Sequence, residues 1–241
     1  SFSSSCRCGV IEFIMDFVVT FIQQKIGIKE SQRVIHYFSV IVLLSLSTLL
    51  CYFYYNAFAP ILSLLASEFG FGEEERDLYL GMHRPCGLHL GSKLNSIFFI
   101  VGCPCSLVIS FVADSMSRKI VFLVITFTCH ISALVLPFFT TYNMLYVWRG
   151  LSGALITSCL PVYVSVLSDI FPIGLRSFAS VLSSVVVGCG MLAGQTLSGY
   201  ISSRFGWRFF FRITSSVGIL VSIASACRVS TVSSFRSYHV S

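Results

Sequence analysis

The residues with spacing suited to chemistry are charged, and few. Asp114, Arg118 and Lys119 stand within six positions of one another, and Asp169 follows in a later apolar segment. Asp114 and Arg118 are four apart, so on one continuing helix they pair across a turn. Arg149 and Arg212 fall inside apolar runs. A charge at hydrocarbon depth costs at least about 2.5–3.5 kcal/mol and normally faces a bundle interior. Arg149 is roughly 8 Å from the nearer end of its run, at 1.5 Å per residue. It either holds an anionic headgroup or snorkels to the interface, and snorkelling is the stronger reading for Arg212. Asn56, Tyr52, Tyr55 and Gln195 are weaker candidates to line a polar path. His130 reads as a packed helix residue rather than a proton carrier.

Enzyme chemistry finds no footing. There is no Walker loop, no H-E-x-x-H and no G-x-S-x-G, and no spacing builds a triad. Cys6 and Cys8 form a C-x-C without a second Cys/His pair, a weak zinc signal. His83 and His89 lack tight ligand spacing. No metal or other cofactor is expected. Seven of the ten cysteines lie in apolar stretches, where a thiol behaves as a small hydrophobe. The net charge of +6 contains no dense basic run, so nucleic acid is not an expected partner.

The elements that position these residues follow from composition. Of 241 residues, 55% are hydrophobic and 11% charged, too few charges for a polar coat. Mean hydropathy is +0.86. The lipid bilayer is the implied solvent. Six runs are long enough to cross about 30 Å of hydrocarbon: Val34–Ala66, Leu94–Ala113, Ile120–Thr141, Met144–Phe171, Ser177–Ile201 and Trp207–Cys227. They are too long and uniform for barrel strands, and a lone span satisfies its backbone only as a helix. The expected fold is all-α, a polytopic transmembrane helical bundle of six spans. Residues 1–33 form a leader, 34–227 the six-span transmembrane domain and 228–241 a Ser-rich tail expected to be disordered. Within the leader Val10–Ile22 is apolar, and Glu12 and Asp16 share a face, which suggests an interfacial helix. Pro60 predicts a kink or break in the first span.

Lys and Arg set the orientation. With the N-terminus in the cytosol, the inner side holds nine basic residues and the outer side five, Arg149 and Arg212 lying within spans. Arg118-Lys119 occupies one short loop, while the next, Thr140 to Asn143, is uncharged. Both termini are therefore expected in the cytosol, with the acidic turn Glu73–Asp77 opposite.

The segment from Ser110 to Lys119, S-F-V-A-D-S-M-S-R-K, resembles the loop signature G-x-x-x-D-R-x-G-R-K of the major facilitator superfamily. Asp114, Arg118 and Lys119 match it; Ser110, Ser115 and Ser117 replace two glycines and an arginine. Arg149 with Gly153, followed by Asp169, Pro172 and Arg176-Ser177, is similar to the superfamily's fourth helix and the start of its fifth. Trp207-Arg208, Arg212, Thr214 and Gly218 resemble the spinster-like branch, whose members transport lysolipids and sphingoid phosphates. Sugar porters are the competing resemblance, through Pro161-Val-Tyr163.

The resemblance implies the N-terminal half of a twelve-span secondary transporter that works by alternating access on a small organic or lysolipid-like solute. It implies that Asp114, Arg118, Lys119 and Asp169 form a gating network. It also implies a cavity between halves near the membrane midplane. Spinster-like proteins carry an acid in the first span and a glutamate in the fourth; here Tyr54–Ala57 and Gly153–Ile156 hold neither. Gly153, Gly188, Gly190, Gly194 and Gly199 are expected to pack helices closely. The faces of spans two and five, with Gly188, Gly190 and Gly194, are expected to dock a second half-transporter or a second copy in a homodimer. The rival readings are a non-transporting membrane partner and an inactive truncated fragment.

Overall fold

The computed structural model describes residues 31–69, 88–171 and 176–237. The leader residues up to 30 and the acidic turn at 73–77 lie outside the described residues. Six helices account for nearly all of the described chain. They are α1 (Ser31–Glu68), α2 (Leu88–Ser115), α3 (Arg118–Val135), α4 (Tyr142–Ile170), α5 (Arg176–Phe205) and α6 (Trp207–Ser237). A single 3-10 turn, Leu136–Phe138, continues α3. Each helix contains a stretch long and apolar enough to span a membrane.

The helices end where the sequence removes a donor or relaxes the backbone. Pro137 lies at the start of the 3-10 turn that closes α3. Gly206, the one described residue with positive φ (84°), separates α5 from α6 and permits the tight reversal between them. α1 runs on as helix across Pro60. Pro60 has no N–H, which deprives the Asn56 carbonyl of its usual helical partner. α6 continues to Ser237, so the tail expected to be disordered is helical through its first ten residues. No glycine or proline follows Gly218 to stop it.

Packing has an internal regularity. The most extensive pairings are α2 with α4 and α1 with α5; α3 packs on α4 and α6, and α6 also on α1. Exchanging α1 with α4, α2 with α5 and α3 with α6 maps these pairings onto themselves. The units α1–α3 and α4–α6 thus pack on each other through equivalent pairings, the pattern of an inverted repeat.

Glycines set the closest approaches. A Cβ on Gly153 would run into the Phe98 carbonyl oxygen of α2, and one on Gly194 into the Phe53 carbonyl oxygen of α1. A Cβ on Gly190 would come within 2.5 Å of the Leu49 oxygen. Gly190 and Gly194 therefore face inward onto α1. This corrects the expectation that they present a surface for a second half, because backbone contact with α1 consumes their lack of a side chain. A Cβ on Gly188 would meet nothing within 4 Å among the described residues, and one on Gly199 would make only ordinary contact, 3.4 Å, with Pro60. A Cβ on Gly102, not anticipated, would come 3.0 Å from the Gly153 oxygen.

Candidate functional site

Two polar centres stand out, one at depth and one at the membrane surface. The deep one is Arg149. Seven residues into α4, it is about 10 Å from the helix start. It is 3% exposed. Its guanidinium lies 4.0 Å from the Phe58 ring centroid, 4.7 Å from Phe98 and 5.4 Å from Tyr55. Among the described residues no carboxylate comes within ion-pair distance, and its Nε has no hydrogen-bond partner. Aromatic faces return up to about 2 kcal/mol to a desolvated cation each. They supply no counter-charge.

A cavity of about 80 Å³ opens beside Arg149, lined by Tyr55, Asn56, Phe58, Leu94 and Asn95 among others. It has room for more than one water molecule. Gln195 of α5 is not part of this lining but reaches Asn56, its Nε2 donating to Asn56 Oδ1 at 3.4 Å. The Asn56 Nδ2 is buried and has no hydrogen-bond partner among the described residues. Arg149, Asn56 and Tyr55 are thus brought together by α4 and α1, with Gln195 of α5 bonded to Asn56 from outside the cavity. A smaller space, about 20 Å³, lies on the other side of Arg149, toward Tyr54 and Trp148.

Tyr52 is placed elsewhere: it is buried against α4, its hydroxyl donating weakly to the Ile156 carbonyl at 3.5 Å. Arg212 is exposed on α6, 5.2 Å from the Phe138 ring, clear of the cavity. His130 is fully buried, its ring edge-to-face with Tyr54, and neither ring nitrogen has a hydrogen-bond partner among the described residues. Sequence reasoning missed Phe58, Phe98 and Asn95. Phe58 was legible, because it stands three positions after Tyr55 and shares its face. Phe98 and Asn95 reach the site from α2, which no spacing announces.

The surface centre is at the junction of α2, α3 and α4. Arg118 donates to Asp114 at 3.0 Å and to Asp169 at 3.3 Å. Lys119 is the next residue of α3, half-buried beside it. All three paired groups are substantially exposed, so each contact is worth at most about 1 kcal/mol.

At the opposite end a second cluster, also missed, ties α1 to α6. Arg208 pairs with Glu68 at 2.5 Å, and Trp207 Nε1 donates to Glu68 Oε2 at 2.7 Å. Arg208 also donates to the carbonyls of Pro137, at 3.1 Å, and Phe139, at 3.4 Å, beyond α3.

Comparisons with known proteins fit this geometry. Residues 44–236 match the family model of the Major Facilitator Superfamily. Multidrug export protein EmrB of Escherichia coli K12 is 29% identical over 102 residues, 42% of this chain and 19% of that protein. The colistin resistance protein EmrB of Acinetobacter baumannii is 25% identical over 122 residues, 51% of this chain and 23% of its own length. The chain thus matches about a fifth of the length of these curated relatives. Among solved structures, a bacterial homolog of the human lysosomal transporter Spinster, inward-facing and unoccupied, superposes with a TM-score of 0.63. It is 17% identical, and the likeness covers 80% of this chain and 43% of that one. The occupied form superposes equally, at 18% identity. Six apolar helices paired in this order and a family match over most of its length make the chain an integral, multi-pass membrane protein of the major facilitator superfamily.

Proposed function

We propose that the chain is half of a secondary transporter that moves a small amphipathic organic anion, lysolipid-like in build, by alternating access. The observation that carries this reading is Arg149, a buried guanidinium with no carboxylate partner among the described residues, beside a cavity with amide and aromatic walls. A buried charge needs a partner. A solute carboxylate or phosphate supplies one, and the rings of Phe58, Phe98 and Tyr55 suit its apolar portion. The cavity sits on one side of a six-helix body, so a second six-helix body completes it, either a second copy or another half-transporter. A parallel pair related by an axis along the membrane normal is compatible with two copies in one orientation.

Photolabelling tests the site. A photoactivatable amphipathic anion should attach to peptides of α1, α2 and α4 around Tyr55, Asn95 and Arg149. Attachment confined to the lipid-facing surface, unaffected by excess unlabelled anion, would contradict it.

Both termini belong in the cytosol in this reading. A cysteine introduced at Ser117 should then react with an impermeant maleimide only from the cytosolic side, and one at Thr140 only from the other. Both are exposed turn residues between spans. The reverse pattern would invert the orientation.

A further inference from the structure

We infer that Glu68, Arg208 and Trp207 form a second state-controlling latch, the inverted counterpart of Asp114, Arg118 and Asp169, on the opposite face of the membrane. This rests on the alternating-access reading above.

Symmetry is the first support. The exchange of α1 with α4 and α3 with α6 that preserves helix packing also relates the two ion pairs. Asp169 is the penultimate residue of α4, and Glu68 is the last of α1. Arg118 is the first residue of α3, and Arg208 is the second of α6. A Cβ on Gly102 or on Gly190, each the fifteenth residue of its helix, would meet the Gly153 or the Leu49 oxygen, and in that register Asp169 falls on Leu65, so the two acids correspond to within one helical turn. The correspondence is not complete: Ser202 stands where α2 has Asp114, and Trp207 supplies the second contact instead.

Electrostatics is the second support. A helix favours acids at its N-terminus and bases at its C-terminus. All four paired residues stand at the opposite ends. Arg118 and Arg208 begin helices, and Asp169 and Glu68 end them. Helix stability alone gives no reason for either placement. Each charge is relieved in part by its partner, Arg208 also by the Pro137 and Phe139 carbonyls and Glu68 by Trp207, so parting a pair leaves both charges less well met at an unfavourable helix end. Such a contact has two distinct conditions, made and broken, rather than a graded one. The partial exposure of both pairs leaves them at the water boundary, where helix ends separate when that face opens. The solute cavity lies between the two latches, beside Arg149.

Cysteine accessibility in sealed vesicles, with the full chain in its membrane assembly, tests the inference. The reporter is Ala59→Cys, an exposed cavity position, in a background lacking other reactive cysteines. Impermeant maleimide is applied from each face. Glu68→Gln should shift the labelling ratio toward the Glu68 face by about five-fold, the reach of one surface ion pair. Asp169→Asn should shift it the other way, and the double variant should return it toward the parent. Arg208→Lys, which keeps the charge, should shift it less than Glu68→Gln. If Asp169→Asn moves the ratio and Glu68→Gln only lowers thermal stability, the second latch is overturned and alternating access stands. If neither moves it, both fail.

Discussion

Replacing Arg149 by Gln is expected to remove anion binding while leaving the fold intact. Truncating one partner of a buried charge pair costs about 2–5 kcal/mol, roughly 30- to 5,000-fold in affinity. In the solute-free protein the guanidinium has no carboxylate among the described residues, so Gln relieves a desolvated charge. Thermal stability should therefore hold or rise as binding falls, the signature of a functional group kept at a cost to stability. Arg149→Lys keeps the charge but loses the planar fork that lies over Phe58, and should fall between. Binding of a radiolabelled anion to purified protein, read beside a melting curve, checks both halves. Loss of stability in step with binding would make Arg149 a packing residue.

The largest stability effects are expected at two glycines. Gly194→Ala and Gly153→Ala each push a methyl group into a carbonyl oxygen of the neighbouring helix, Phe53 and Phe98 respectively. Backbone cannot swing aside as a side chain can, so each helix pair must part. The cost should reach about 3 kcal/mol, the upper end for overpacking. Gly188→Ala meets open space and should be neutral, or stabilising by up to about 1 kcal/mol through helix propensity. Unfolding measured in detergent separates these outcomes. Equal effects at Gly188 and Gly194 would contradict the close approach of α5 to α1.

Local spacing and the bilayer as solvent made part of this structure legible in the sequence. The fourth run, read as Met144–Phe171, overlaps α4, Tyr142–Ile170, and overruns it only by Phe171, because hydrocarbon thickness sets its length. The Asp114–Arg118 contact comes from a four-residue step. Tyr55, Asn56 and Arg149 were visible as polar groups in apolar runs. Their convergence with Phe98 and Asn95 was not, because it depends on how α2 crosses α4. Gly190 and Gly194 were recognised as contact residues, yet their partner was misjudged. A small residue states that something approaches closely, and only the bundle states which helix. The Glu68–Arg208 pair joins residues 140 positions apart and had no local pattern to reveal it. The helical stretch of the tail was not legible because serine content alone does not end a helix: upstream in the same helix Ser215, Ser216 and Ser225 bond back to their own turn.

Solute uptake is the most direct test of the central claim. The full-length chain in sealed proteoliposomes, preloaded with unlabelled amphipathic anion, should accumulate the labelled anion by exchange. Arg149→Gln in the same vesicles should reduce that uptake to the level of empty liposomes. Uptake equal in the parent and Arg149→Gln vesicles, or absent from both although the protein is folded and assembled, would contradict transport through the Arg149 cavity.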